Sequence, residues 1–299
     1  MKYAEQAIVF NCADCRLLGI ATLPETLSET GVLIVTGGPQ YRAGSHRQFT
    51  LLARQLAGQG IASLRFDYRG MGDSEGDMRN FEVVNNDILA AIDALLKHVP
   101  ELRRVAILGL CDAASAALYY AHTDPRVGGL ILLNPWVHTE ASASRARLKH
   151  YYLSRLMQYS FWTKLLSGKV MLSNSVGDLT KSAQGAVTKA SYAPMPADPR
   201  HGGPGYIERM FDGLKRFQGN VLFILSGNDL TAQEFIALTQ QDKRWKKLYH
   251  SPKISREILK KANHTFSTST WRDMVADQSA SWLDRLPGSI ESNKKNHHD

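Results

Sequence analysis

Five short runs recur along the chain, GVLIVTGG, IASLRFDYRG, RVAILGL, GGLILLNP and NVLFILSGND, each apolar or β-branched, each closed by loop residues, and most followed by a helical pattern. Runs that are apolar throughout, rather than alternating, belong to strands covered on both faces. Strands that alternate with helices pair in parallel. The chain therefore predicts an α/β fold with a mostly parallel central sheet flanked by helices. AIVFNC and LLGIATLP add a leading antiparallel hairpin, and EILKKA a last short strand. Helices are expected over HRQFTLLARQLAGQ, FEVVNNDILAAIDALLKHV, DAASAALYYAHT and TWRDMVADQSASWLDRL.

The rhythm stops between Pro135 and about Pro204 and resumes at Val221. In the gap Leu148, Tyr152, Leu156, Tyr159, Trp162 and Leu166 recur near helical spacing, interleaved with basic residues. This predicts a helical lid, residues 136–204, inserted before the strand that carries the catalytic acid. Residues 1–135 and 205–290 then form the core, and 291–299 a flexible tail. The run His201, Gly202, Gly203, Pro204, Gly205 follows the lid and not a strand, which makes it a hinge.

Charge sharpens this division. The formal net charge is +8, and residues 141–190 hold eight basic side chains, from Arg145 to Lys189, against Asp178 alone. So local a patch suits an anionic or carrier-bound acyl substrate, peripheral contact with an anionic membrane, or equally a solvated helix face, and calls for no nucleic acid. The N-terminal stretch MKYAEQAIVF has no long apolar core, and no segment has eighteen consecutive apolar residues, so a cytoplasmic protein without a transmembrane segment is expected. Three cysteines, Cys12, Cys15 and Cys111, build no disulfide framework, and the Cys12/Cys15 pair has no second pair to complete a metal site. Neither cofactor nor metal is expected. Oligomeric state is not readable here.

The chemistry is densest in VAILGLCDAASAALYYA, where the fifth strand turns into a helix. Gly109, Leu110, Cys111, Asp112, Ala113 has the spacing of a nucleophile elbow: small residues stand two before and two after the nucleophile, because the turn brings backbone against backbone there. Cys111 is the candidate nucleophile, at a helix N-terminus whose partial positive charge favours thiolate. Asp112 as nucleophile is one residue out of register and is expected to point away from the cleft. The acid and base should follow in that order. Asp229 ends NVLFILSGND, and His264 lies in KKANHTFST before the terminal helix. The loop Thr36, Gly37, Gly38, Pro39 supplies an oxyanion donor, giving the backbone N–H groups of Gly38 and Asp112, since Pro39 has none to offer. Gln40, His46 and Trp136 are the candidate substrate contacts, although His46, like His122, His138 and His201, lacks the context of a catalytic base.

GGPQYRAGSHRQFTLLARQLAGQGIASLRFDYRGMGDSEG together with GLCDAASAA resembles the exosortase A system-associated hydrolase 1 family of the α/β-hydrolases. DYRGMGDSEG, with Asp67, Arg69 and Gly70, marks the superfamily alone. The resemblance implies the α/β-hydrolase fold and a bacterial setting of exopolysaccharide production and sorted surface proteins, and it names no substrate. The Cys, Asp and His set is also similar to that of dienelactone hydrolases. A thiolate leaves as readily as it attacks, so thioesters, lactones and activated esters rank above peptides. Cleavage through an S-acyl enzyme is the favoured activity. Acyl transfer to a sugar or carrier, and a non-catalytic role in export, are the alternatives.

Overall fold

A computed structural model describes residues 2–38, 40–137 and 205–286. Residues 138–204 of the expected lid and the tail 291–299 lie outside the described residues, as does Pro39. The described chain forms one eight-stranded sheet: β1 (Tyr3–Cys12), β2 (Cys15–Pro24), β3 (Thr30–Val35), β4 (Ser63–Phe66), β5 (Arg104–Leu110), β6 (Val127–Leu133), β7 (Asn220–Ser226) and β8 (Ile254–Leu259). Their order across the sheet is β1-β2-β4-β3-β5-β6-β7-β8. β1 and β2 form an antiparallel hairpin, closed where Cys12 faces Cys15, and β2 pairs antiparallel with β4. Every later pairing is parallel.

Seven helices stand among the described residues: α1 (Gln48–Gly58), α2 (Asn85–His98), α3 (Asp112–Tyr120), α4 (Tyr206–Arg216), α5 (Leu230–Gln241), α6 (Lys243–Tyr249) and α7 (Ser269–Leu283). Side chains alternate across a strand, so each central strand feeds two cores. Val32 and Ile34 of β3 pack with Phe49, Leu52 and Leu56 of α1 and Val275 and Trp282 of α7. Leu33 and Val35 face the other side, with Ile88 of α2, Leu118 of α3, Met210 of α4, Phe235 of α5 and Trp245 of α6. This is the α/β-hydrolase fold.

The sequence pattern missed α4, α5 and α6. The last two lack a clear apolar stripe and are held by a few aromatics: Phe235 and Tyr249 pack tilted against Phe223 of β7 at 5.1 and 5.3 Å between ring centroids, and Trp245 meets Phe235 edge-on at 5.9 Å. Asp229 caps α5 and Asp242 caps α6. α4 begins at Tyr206 with Gly205 as its N-cap, and His201 to Pro204 of the expected hinge lie outside the described residues.

Register then fixes what meets at the C-terminal edge. Val35 is level with Gly109, Leu110 with Leu133, Leu133 with Ile224, and Ser226 with Leu259. The loops carrying Gly38, Cys111, Asn134, Asp229 and His264 therefore leave the sheet side by side, where parallel sheets place their sites.

Candidate active site

Cys111 sits between β5 and α3 at φ 62° and ψ −123°. A non-glycine residue in this region stores on the order of 1–3 kcal/mol of strain and persists only when its surroundings over-determine it. They do so here. The Cys111 N–H donates to the Leu133 carbonyl at 2.9 Å, and the Cys111 carbonyl accepts from Ala114, Ser115 and Trp136 N–H groups at 3.1, 3.3 and 3.2 Å. Ala113, where glycine is more usual, does not open the turn. A Cβ on Gly109 would stand 2.7 Å from the Ala113 carbonyl carbon and oxygen, so the close approach is fully made and only glycine fits.

The acid and base stand together on the neighbouring loops. Asp229 Oδ2 accepts from His264 Nδ1 at 2.9 Å, which leaves Nε2 as the nitrogen able to take a proton. The same carboxylate accepts from the Thr231 and Ala232 N–H groups at 3.4 and 3.1 Å as the cap of α5, so its position is set by a helix start and not by the histidine alone.

The loop behind His264 is held by a residue that the sequence pattern did not single out. Asn134, fully buried at the end of β6 and at φ 46°, accepts from the Ser226 N–H at 2.8 Å and donates to Ser226 Oγ and the His264 carbonyl, both at 2.9 Å. Ser226 Oγ in turn donates to the Asn263 carbonyl at 2.8 Å. An amide is the one neutral side chain that can both accept and donate in this way. A polar residue closing the apolar run LILLNP was the available signal. Asn134→Ala and Asn134→Asp should each lower kcat for a small ester at least about tenfold with a smaller change in KM, and destabilise by about 1–3 kcal/mol. Steady-state kinetics beside denaturant melts read both effects, and an unchanged kcat in both variants would show that the His264 loop holds its place without this clamp.

Two sequence expectations need correction at the thiol. The helix start was expected to favour thiolate. Instead burial, reinforced by the Asp112 carboxylate and more distantly by Asp229, pushes the Cys111 thiol well above its ordinary value, against a hydrogen bond from the Asp112 backbone. Removing a charge from water and placing it beside another of like sign outweighs the helix dipole. Asp112 was also expected to point away from the cleft. Its carboxylate lies on the oxyanion loop: the Gly38 N–H donates to Oδ1 at 2.8 Å and Oδ2 at 2.9 Å, and the Ala113 N–H to Oδ1 at 2.9 Å. The Gly38 donor is thus engaged in this state.

Of the candidate substrate contacts, Gln40 turns its Oε1 to the Ser45 N–H at 3.1 Å, holding its own loop. His46 is exposed at φ 53° on the adjacent short 3-10 turn. Half-buried Trp136 is tied to the elbow on both sides, through its N–H to the Cys111 carbonyl and its carbonyl to Ser115 Oγ at 2.9 Å. The superfamily segment acts as a brace. Buried Asp67 accepts from the Arg42 N–H at 2.5 Å, pairs with the Arg42 guanidinium, and accepts from the Asp73 N–H at 3.1 Å, which anchors the chain that follows Gly38. Among the described residues no cluster of three or more His, Cys, Asp or Glu side chains could hold a metal ion, and no helix is long and apolar enough to cross a membrane.

Comparison with known proteins agrees with this architecture. The family model described as serine aminopeptidase, S33 matches residues 31–189, just over half of the 299-residue chain. An esterase of Pyrococcus furiosus, Pf2001, superposes with a TM-score of 0.62 at 14% identity over 96% of this chain and 94% of that one. A dienelactone hydrolase from Anabaena variabilis gives 0.60 at 15% identity over 96% and 99%. Est1E from Butyrivibrio proteoclasticus, solved with ferulic acid, gives 0.59 at 16% over 93% and 98%. A curated but uncharacterised protein of Pseudomonas aeruginosa is 31% identical over 103 residues, which span 33% of this chain and only 27% of that relative's length.

Proposed function

The chain belongs to the serine aminopeptidase S33 family of the α/β-hydrolases, and from that membership we propose that it is an acyl hydrolase acting on ester, lactone or thioester bonds with Cys111 as nucleophile, His264 as general base and Asp229 as the acid that orients it. The observation that carries this reading is the strained conformation of Cys111, φ 62° and ψ −123°, at a strand-to-helix turn on the same sheet edge as the Asp229–His264 pair. Strain of this kind at a chemically reactive side chain marks a nucleophile held at the apex of its turn. The family description names serine enzymes, and the elbow position here holds cysteine. That substitution, with the similarity in fold to a dienelactone hydrolase and to esterases, favours activated acyl donors over peptides.

The raised thiol selects between two forms of cysteine catalysis. A thiolate–imidazolium pair formed in advance does not suit a desolvated sulfur beside Asp112. Cys111 instead rests as the thiol. His264 Nε2 takes the proton as sulfur attacks the acyl carbon, the leaving group departs with that proton, and water activated by the same nitrogen releases the acid from the S-acyl enzyme. The backbone N–H groups of Gly38 and Asp112 would receive the oxyanion, each such donor lowering the barrier by about 3–4 kcal/mol. Gln40, His46 and Trp136 remain proposed contacts for substrate, and the exosortase and exopolysaccharide setting rests on the resemblance of GGPQYR and GLCDAAS.

Rapid quench of an acyl thioester reaction followed by peptide mapping should find the acyl mass on the Cys111 peptide. Added hydroxyl or thiol acceptors that shorten the life of this species would identify acyl transfer, and acyl mass on another residue would sink the assignment. Alkylation of Cys111 by iodoacetamide should rise about tenfold per pH unit from 6.5 to 8.5, because below its pKa the thiolate fraction grows by that factor. A plateau below pH 8 would mean that the ion pair is formed in advance.

A further inference from the structure

The Asp112 side chain occupies the place where chemistry on Cys111 needs an empty donor. Both its oxygens take the Gly38 N–H, and Oδ1 takes the Ala113 N–H as well. The fit is built into the fold: a Cβ on Gly37 would stand 2.2 Å from Asp112 Oδ1, so the carboxylate seats against the oxyanion loop only because residue 37 is glycine. The side chain is half-buried, on the first residue of α3.

We propose that Asp112 is a specificity-determining residue, a resident ligand of the oxyanion donor that a neutral ester or thioester carbonyl displaces and a free carboxylate does not. This deepens the reading of Cys111 and the Gly38 N–H given above and rests on it. Hydrolysis of an ester or thioester releases a carboxylate, chemically the same group as the Asp112 side chain. Donors that already satisfy one carboxylate would hold the product equally well if they stood empty. With Asp112 in place the product meets a filled donor and a like charge at a part-buried site, where repulsion is less screened than in open solvent. The acyl donor meets only the first obstacle, since its carbonyl oxygen is uncharged and the Asp112 side chain turns out to solvent as the oxyanion forms. The residue thus trades some speed in the forward step for freedom from product inhibition, and it disfavours acyl donors that carry a carboxylate near the reacting carbonyl.

The test is inhibition by butyrate of p-nitrophenyl butyrate hydrolysis in the wild-type protein, Asp112→Asn and Asp112→Ala. The butyrate Ki should fall at least tenfold in Asp112→Ala. Asp112→Asn should fall in between, because the amide oxygen still accepts from Gly38 while the charge is gone. In parallel, butyrate titrated by calorimetry into Cys111→Ala and into Cys111→Ala/Asp112→Ala needs no turnover, and binding should be at least tenfold tighter in the double variant. Equal Ki values in all three proteins, or equal affinity in the two titrations, overturns the proposal. If Asp112→Ala does not fold, Asp112→Asn decides alone: a Ki lowered threefold or more supports the proposal and an unchanged Ki overturns it. A Cys111→Ala protein that keeps its turnover while butyrate affinity still follows residue 112 would count against the nucleophile and not against the role of Asp112.

Discussion

Replacing Cys111 by alanine will lower hydrolysis of p-nitrophenyl butyrate or a short acyl thioester by about four orders of magnitude or more, the scale typical for loss of a nucleophile from a cooperating set. The fold should survive the change. Alanine accepts the same φ and ψ with no larger penalty than cysteine, and the hydrogen bonds from residue 111 to Leu133, Ala114, Ser115 and Trp136 run through its backbone, so they outlast the loss of sulfur and of the bond it takes from the Asp112 N–H. Circular dichroism and the thermal midpoint should therefore match the wild type while activity is lost. Cys111→Ser gives a graded answer. If the resting thiol is neutral and His264 removes its proton during attack, a hydroxyl in the same place can follow the same route, and the serine variant should stand above alanine though well below the wild type. A preformed thiolate mechanism predicts serine no better than alanine. Alanine activity above about a tenth of wild type would remove Cys111 from the reaction altogether.

The part of this site that was legible in the sequence is the part that depends on local spacing. Gly109, Cys111 and Ala113 are close in sequence, and their separation is dictated by a turn in which Gly109 all but touches the Ala113 backbone. Asp229 and His264 follow from their positions after strands whose register brings them to one edge. The strands themselves were readable because complete burial makes them apolar throughout, as in Leu33, Ile34 and Val35.

What was not legible depends on side-chain direction and on fields that cross between elements. The seat of Asp112 on Gly38 joins residues 74 apart and turns on one rotamer, which no pattern of types encodes. The state of the Cys111 thiol is a balance of desolvation, two carboxylates and a helix start, and the sequence displays only the last of these. α5 and α6 escaped for a different reason. Their buried residues follow no apolar stripe, being Ala232, Glu234, Phe235 and Thr239 on α5 and Trp245 and Tyr249 on α6, so tertiary aromatic packing stands in for helical periodicity.

The largest loss of stability expected from a single polar change is at Asp87. Asp87 is wholly buried on α2 and receives three bonds from one residue: the Arg69 backbone N–H at 2.9 Å and the guanidinium through Nε at 2.9 Å and Nη2 at 2.8 Å. Arg69 is itself 6% exposed. Asp87→Ala would leave a guanidinium inside the protein without its carboxylate, and breaking a buried pair from one side costs about 3–5 kcal/mol, most of it the desolvation of the orphaned charge. Replacing both partners together, Arg69→Met with Asp87→Leu, should recover much of that loss, since apolar groups of similar volume carry no such penalty. The half-exposed pair of Arg126 with Asp93 is the contrast. Solvent screens it, so Asp93→Ala should change stability by no more than about 1 kcal/mol. Urea melts of the four proteins separate these cases, and an Asp87→Ala loss below about 1 kcal/mol would mean that water reaches Arg69 in the folded state. The effect should reach the site as well. Arg69 lies in the same segment as Asp67, which anchors Arg42 and hence the chain after Gly38, so loosening it frees the loop that must present an oxyanion donor. Asp87→Ala should then lose kcat at temperatures well below its melting point, where the double replacement retains it.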